Sequence, residues 1–427
     1  MTILVLGAGA REHALAATLS DEVGAGQILC APGNAGIAAA IGRNVTVDLS
    51  QPGAVLALAR SEGVWLTVVG PELPLSVGVV DLFRGVGEPI VGPTMAAARL
   101  ETSKAWAKSF MARCGVPTAP FELTDDEQKA IEIVRSERFG WPLVIKADGL
   151  AAGKGVVLAD GEAEAIATVR AMMSGRRFGD AGARIVLERC LRGPEVSYFV
   201  LTDGNTAVTL GTAQDHKRAF DDDRGPNTGG MGAFAPSPLI DDALNARVFA
   251  DIVEPVLAGM RNEGHPYTGF LYCGLMLTSD GPMVIEFNAR LGDPEAQVLL
   301  PLGEPLLALL QGAASGTLEA RHPRLPIDRR VGVVVASGGY PDTFETGHLI
   351  DGLAEAAAIP GVRIYHAGTR RSDGRIVTSG GRVLTVVGSG PDFPSAIARA
   401  YAGVDKIRFS GAFARRDIGR RALKGQL

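Results

Sequence analysis

A chain of 427 residues is too long for one hydrophobic core and implies three or four domains, and its 46% hydrophobic and 21% charged residues are those of a soluble globular protein. A formal net charge of −5 argues against a nucleic-acid surface, and no apolar run approaches the ~20 residues of a membrane span. Cys30, Cys114, Cys190 and Cys273 stand far apart without C-x-x-C spacing, which reads as buried reduced thiols in a cytoplasmic protein.

Residues 3–6 form the first predicted strand. No basic residue precedes this apolar run and Arg11-Glu12 soon follow it, a pattern expected of a first β-strand rather than of a signal peptide. Gly7-Ala-Gly9-Ala-Arg11-Glu12-His13 then turns into a helix ending near residue 19. Further strands are predicted at 27–30, 45–47, 65–69 and 89–91, and helices at 52–61, 74–84 and 95–114. Apolar strands alternating with helices mean a parallel sheet covered on both faces, with ligands at the carboxyl ends of its strands. Those ends carry the loops 7–12, 32–36 and 70–72. A dinucleotide site fails on two residues: Glu12 replaces the third fingerprint glycine, and Ala31-Pro32 stands where the second strand should end in an acid. The first loop still offers helix N-terminal N–H groups and Arg11 to a small phosphate; a bare strand–helix turn is an equal alternative.

After Pro117 the composition changes. A helix at 125–137 leads into two short strands, 143–145 and 156–158, around a loop with Gly149, Gly153 and Gly155. Lys146 ends the first strand and Lys154 lies in the loop. Converging backbone N–H groups and lysines suit a phosphate better than an ordinary hairpin does. The spacing is not that of a Walker loop, so a nucleotide under a β-hairpin flap is the expected geometry. A strand at 185–187 ends in Glu188-Arg-Cys-Leu191 and Gly193-Pro-Glu195, a hinge able to present backbone to a base and Glu195 to ribose hydroxyls. A surface carboxylate at a turn is its plainer reading. Strands at 196–201 and 207–211 precede a charged stretch, 215–232, with no periodicity, expected to be a site loop rather than solvated disorder. Strands at 270–277 and 283–287 follow. Residues 286, 288 and 290 share a strand face, so Glu286, Asn288 and Arg290 point together. Glutamate and asparagine oxygens suit Mg²⁺ bridging phosphates, and the guanidinium suits a carboxylate or a transferring phosphoryl group; a Glu286–Arg290 surface salt bridge is the plain alternative. Strands at 331–337, 362–367 and 383–387 and a helix at 394–401 complete the chain.

These motifs, in this order, resemble the glycinamide ribonucleotide synthetase (phosphoribosylamine–glycine ligase) family of ATP-grasp enzymes. The resemblance runs end to end. It rests on Gly7-Ala-Gly-Ala-Arg-Glu-His13, Ala31-Pro-Gly-Asn-Ala-Gly36, Val69-Gly-Pro-Glu72 and Ile145-Lys-Ala-Asp-Gly-Leu-Ala-Ala-Gly-Lys-Gly155. Gln214-Asp-His-Lys-Arg218, Gly225-Pro-Asn-Thr-Gly-Gly-Met-Gly232, Tyr267-Thr-Gly-Phe-Leu-Tyr272, Val284-Ile-Glu-Phe-Asn288, Arg290 and Gly292-Asp-Pro-Glu295 extend it, with Ala336-Ser-Gly-Gly-Tyr-Pro341 and Gly380-Gly-Arg-Val-Leu384 beyond.

The resemblance implies an α/β and α+β multidomain chain with the ATP-grasp fold. Its parts are an N-terminal parallel-sheet pre-ATP-grasp domain (1–103, the phosphoribosylamine side), a nucleotide-binding part with the flap (104–192), a catalytic part with the metal site (193–326) and a small mixed α/β C-terminal domain (327–427), expected to be structural. It implies ligation of glycine to 5-phosphoribosylamine with ATP and Mg²⁺ or Mn²⁺, through glycyl phosphate, by a cytoplasmic monomer with no nucleic-acid or membrane partner. Lys104 and Lys146 are the implied phosphate lysines, with Gly149, Ala152, Gly153 and Lys154 in the flap. Glu188, Leu191, Glu195 and Phe287 are implied around the nucleoside, and Glu286 and Asn288 on the metal. Catalysis is implied for Lys146, Asp215, Lys217 and Arg290. Substrate contacts are implied for Gly9, Arg11, Glu12, Asn34, Glu72, Asp215, Thr228, Gly229, Arg290 and Asp293. Gly274-Leu-Met-Leu277 carries no acid where many ATP-grasp enzymes have a second metal carboxylate. Another ATP-grasp ligase, which should lack the 215–218 and 225–232 motifs, and a nicotinamide-dependent oxidoreductase are the rival readings; nucleotide binding tested with ATP and NAD side by side separates the latter.

Overall fold

The computed structural model describes residues 2–149, 155–175, 179–320 and 326–423. Its first element is the strand Thr2–Gly7, with Ile3, Leu4, Val5 and Leu6 all fully buried because helices cover both faces. It lies at the centre of a five-stranded parallel sheet in the order Arg43–Asn44, Ile28–Pro32, Thr2–Gly7, Val64–Val69, Ile90–Val91. The strand expected at 45–47 is absent. Pairing stops at Asn44, and Val45 and Val47 pack on the core from an irregular segment. Two predicted helices are each split. Gly78, at φ +82°, separates Glu72–Ser76 from Val79–Gly85. Ser103, extended at φ −139° and ψ 106°, separates Arg99–Thr102 from Lys104–Cys114. Its hydroxyl accepts from the Trp106 N–H at 3.1 Å, an N-cap that starts a fresh helix with Lys104 as its first residue.

A four-stranded antiparallel sheet follows in the order Phe121–Thr124, Ile185–Arg189, Leu143–Ala147, Val156–Ala159. The helices Glu127–Arg135 and Glu162–Met172 cover it through Ile131, Val134, Ala165 and Val169. The largest sheet has eight antiparallel strands: Gly281–Asn288, Gly269–Thr278, Glu195–Thr202, Ala207–Asp215, Gly232–Ala235, Arg329–Ala336, Arg382–Gly390 and Val362–His366. It passes from the strand that carries Glu286 and Asn288 into the C-terminal part without a break, because Gly232–Ala235 pairs with Arg329–Ala336. That short bridging strand, Gly-Ala-Phe-Ala, has no legible period. The stretch 215–232 is no structureless loop either. It folds back as a hairpin, Arg218–Phe220 against Arg224–Asn227, turned by Asp221–Asp223. A second unexpected hairpin pairs Thr369–Ser372 with Arg375–Thr378. All four cysteines are free, and among the described residues no helix is long and apolar enough to cross a membrane.

The carboxyl ends of the parallel sheet meet the Asn288 end of the large sheet. Arg11 donates to Leu291 O at 3.1 Å, and Glu101 accepts from the Ala289 N–H at 2.8 Å. The cleft along this seam collects the charged residues singled out above.

Candidate functional site

Glu286 is the centre of the cleft. It pairs across the sheet with Gly274, where an added Cβ would lie 3.1 Å from the Glu286 Cγ, so the glycine leaves this carboxylate its space. Burial pushes Glu286 up, but Lys217, Lys146, Lys104 and Arg290 outweigh it and hold the carboxyl below its ordinary range. The group is therefore ionised at neutral pH. Asn288, two residues on and 9% exposed, shares its strand face. Phe287, expected near the nucleoside, turns the other way: strand alternation puts it in the core, 3% exposed.

Lys146 ends its strand with two anchors, donating to Ile285 O at 3.0 Å and ion-pairing Glu188 Oε1 at 2.5 Å. Glu188, implied near the nucleoside, is held by a second lysine as well. It is 2% exposed and its other oxygen pairs with Lys108. Burial raises Glu188, yet the two lysines leave it below the usual carboxylate value. Lys108 in turn donates to Thr118 Oγ1 at 2.6 Å, and Thr118 to Val284 O at 2.7 Å. Burial brings Lys108 down to about 8 despite Glu188. Lys108 stands four residues after Lys104 on one helix, the spacing that shares a helix face. That spacing was the available signal for a residue sequence reasoning passed over.

Lys104, lowered chiefly by burial, donates to Gly149 O at 3.1 Å. Gly149 has φ +102°, where only glycine is at ease, and Asp148 beside it accepts from Ser103 Oγ at 2.9 Å and from the Ala105 N–H at 3.1 Å. The flap base is thus tied to the helix start that carries Lys104. Ala152, Gly153 and Lys154 lie outside the described residues. Leu191 is half-buried in the connector after Ile185–Arg189.

Glu195 and Lys217 pair at 2.9 Å across the mouth of the cleft. Asp215, at the end of its strand, is pushed up to about 7 by burial and by Glu295, Glu195 and Glu286, against the pull of Lys217. Asp215, Glu195 and Glu286 raise Lys217 well above the ordinary lysine value in spite of burial. Glu295, 3% exposed, accepts from Ser197 Oγ at 3.2 Å, and Ser197 meets Tyr272 Oη at 2.9 Å. Glu101, Tyr272 and Glu295 are buried polar groups whose role is visible only in three dimensions.

Arg290 is shared by two acids, Glu101 at 2.8 Å and Glu72 at 3.5 Å, and donates to Leu291 O at 3.2 Å. Burial would lower it; the two glutamates raise it. Glu101 is raised, mainly by burial, while Arg290 and Arg11 bring Glu72 below the ordinary range in spite of burial.

In the first loop Glu12 folds back over Gly7 and Gly70, where added Cβ atoms would fall 2.4 Å from its Cγ and 2.3 Å from its Oε1. Its Oε2 accepts from the Gly9 N–H at 2.7 Å, and its Oε1 from Arg11 at 2.5 Å. The anion-binding N–H of this loop is thus filled from within, the physical reason no dinucleotide fingerprint survives here. The Asn34 amide is also spent internally: it donates to Ala8 O at 2.9 Å and His366 O at 2.7 Å and accepts from the Gly36 and Ile37 N–H groups.

Gly9 and Asn34 nonetheless line a cavity of about 450 Å³ with Asp293, Tyr340, Gly368, Thr369, Ser379 and Arg382. The C-terminal part, expected to be only structural, therefore forms one wall of it. Arg382 donates to Gly229 O at 2.7 Å and pairs with Asp293 at 3.2 Å, while the Gly229 N–H donates to Tyr340 Oη at 3.1 Å. Thr228 donates from N and from Oγ1 to Lys217 O, at 2.7 and 2.9 Å. A larger cavity of about 540 Å³, between Arg84, Asp203 and Arg261, contains none of these residues.

Comparison with known proteins agrees along the whole chain. Residues 1–101, 102–296 and 330–421 match the N domain, the ATP-grasp (A) domain and the C domain of phosphoribosylglycinamide synthetase. A phosphoribosylamine–glycine ligase of Xanthomonas axonopodis is 49% identical over 427 residues, covering 99% of this chain and 98% of that one. The crystal structure of a phosphoribosylamine–glycine ligase from Thermotoga maritima superposes with a TM-score of 0.84 at 33% identity, over 98% of this chain and 100% of that one. The biotin carboxylase domain of a Hydrogenobacter thermophilus 2-oxoglutarate carboxylase, solved with ADP and magnesium, gives a TM-score of 0.73 at 18% identity, over 97% and 91% of the two chains. That likeness concerns the fold alone.

Proposed function

The chain belongs to the phosphoribosylglycinamide synthetase family, and on that premise we propose that the cleft around Glu286 is where its three substrates meet. The protein ligates glycine to 5-phosphoribosylamine with ATP, giving glycinamide ribonucleotide, ADP and phosphate, a step of purine biosynthesis. The observation that carries the placement is one ionised carboxylate ringed by Lys104, Lys146, Lys217 and Arg290. Such a ring suits a triphosphate and the anions it reacts with.

ATP and a divalent metal serve the reaction; Mg²⁺ or Mn²⁺ is our assignment. Among the described residues no three His, Cys, Asp or Glu side chains cluster as ligands. One carboxylate and one amide oxygen, Glu286 and Asn288, fit a cation whose remaining ligands are phosphate oxygens and water. When bound, the metal offsets charge on the transferring phosphoryl group. Lys104 and Lys146 hold the phosphates. Leu191 and Glu195 border the nucleoside, with Glu188 acting through Lys146. Arg290, steadied by Glu72 and Glu101, faces the glycine carboxylate. The 450 Å³ cavity takes the phosphoribosylamine between Gly9, Asn34, Thr369 and Arg382. We assign the protein to the cytoplasm as a monomer acting on small molecules alone.

An amine does not displace oxide from a carboxylate, so glycine is first phosphorylated and the amine then expels phosphate from glycyl phosphate. Closure over the acyl phosphate keeps water from it. Glycine carrying heavy oxygen in its carboxylate should therefore deliver one label to the released phosphate and keep the other in the product amide. Mass spectrometry of the phosphate after a full turnover reads this directly, and unlabelled phosphate sinks the acyl-phosphate route.

Asp215 is the group placed to take the proton lost by the attacking amine. With its carboxyl near 7, the ionised fraction grows as pH rises through that value, so kcat/KM should climb on an acid limb centred near 7. Asp215→Asn should be slow and should lose that limb. A limb of unchanged position in Asp215→Asn assigns the base elsewhere.

A further inference from the structure

We propose that Arg415 is a positioning residue for the ligation: the C-terminal segment around it clasps the tip of the 218–227 hairpin and so fixes Lys217 and Thr228 at the cleft. The inference rests on the placement of those two residues in the cleft given above.

The hairpin needs something to hold it. Arg218–Phe220 and Arg224–Asn227 form a two-stranded ribbon separate from every larger sheet, and such ribbons are marginal alone in water. Its turn places Asp222 and Asp223 at φ +57° and +53°, a left-handed conformation that aspartate adopts more readily than most residues but usually singly, so that the surroundings must enforce the pair. The enforcement comes from the far end of the chain. Arg415, with 1% of its side chain exposed, binds Asp417 twice, from Nε at 2.8 Å and from Nη2 at 2.7 Å. Its Nη1 donates to Arg218 O and to Asp223 Oδ1, each at 3.0 Å. Asp417 accepts from the Asp222 N–H at 3.0 Å, Asp221 from the Arg416 N–H at 2.7 Å, and Arg421 pairs with Asp223. All three turn aspartates are thus engaged. The segment itself is anchored through Tyr401, whose hydroxyl donates to Arg415 O and accepts from the Ile418 N–H, both at 3.0 Å.

At its other end the hairpin opens directly into the cleft. Lys217 precedes its first strand and Thr228 follows its second, and Thr228 binds Lys217 O through both N and Oγ1. A loosened tip frees this base, and with it the Lys217 ammonium. The nucleotide lysines, Lys104 and Lys146, sit on other elements and should not notice.

The test is Asp223→Asn, at a half-exposed site where asparagine keeps the shape and tolerates the left-handed backbone. We expect kcat to fall about 10- to 100-fold, the cost of misplacing a catalytic group, with ADP affinity by calorimetry unchanged. Amide hydrogen exchange should quicken across 218–228 and stay unchanged in the eight-stranded sheet. Arg415→Lys should retain more activity than Arg415→Met. Wild-type kcat with a loosened hairpin, or ADP affinity lost in step with kcat, overturns the proposal. Lys217→Met separates the two readings: full activity there removes Lys217 from the cleft, whereas an inactive Lys217→Met beside a fully active Asp223→Asn removes the clasp alone.

Discussion

Lys146→Met lowers turnover by roughly 100-fold or more, because one charge-assisted contact to a phosphate in a water-excluded site is worth about 2–4 kcal/mol. The ammonium is aimed before any nucleotide arrives: Glu188 and Ile285 O hold it from two sides. Methionine keeps the length and packing of the lysine stem, and Glu188 retains Lys108 as its partner, so the fold should survive. Steady-state ADP release and a thermal melt on the same preparation check both halves. Turnover near that of the parent protein removes Lys146 from the nucleotide site.

Glu286→Gln should be at least as severe, with losses on the order of 100- to 1000-fold in kcat for the same electrostatic reason. The substitution keeps an oxygen in place but removes the one negative charge that Lys217, Lys146, Lys104 and Arg290 share. Metal binding weakens, and Lys146, Lys217 and Arg290 are left with only their outer partners, Glu188, Glu195, Glu72 and Glu101. Its contribution to stability has a definite sign. Glu286 is depressed in the folded protein, so it stabilises above the unfolded carboxylate pKa, and the effect fades as acid protonates it in the fold. The parent should therefore lose part of its margin over Glu286→Gln as pH falls through the carboxylate range. Melting temperatures of the two proteins that keep the same gap from neutral to acid pH would contradict this.

The shared face of Glu286 and Asn288 was legible because strand alternation alone puts residues 286 and 288 on one side. The same rule, applied one residue over, would have sent Phe287 to the core. The parallel sheet was legible from its apolar strands. Helix breaks at Gly78 and Ser103 were less so, since a cap inside a helical pattern competes with continuation and local pattern does not decide between them. The buried pairing of Glu188 was not legible because the two lysines that hold it come from positions 108 and 146. The clasped hairpin was invisible for a similar reason: its partners lie nearly 200 positions downstream, separated from it by 192 to 198 residues.

The unbroken eight-stranded sheet has a consequence for synthesis of the protein. Gly232–Ala235 completes its pairing only with Arg329–Ala336, and the next strand, Arg382–Gly390, lies almost at the end of the chain. Until residues 329–336 have been made, the growing sheet ends in a raw edge whose N–H and C=O groups have no partner. A chain stopped there presents a template for another unfinished copy, so crowding of nascent chains on one message favours mispairing.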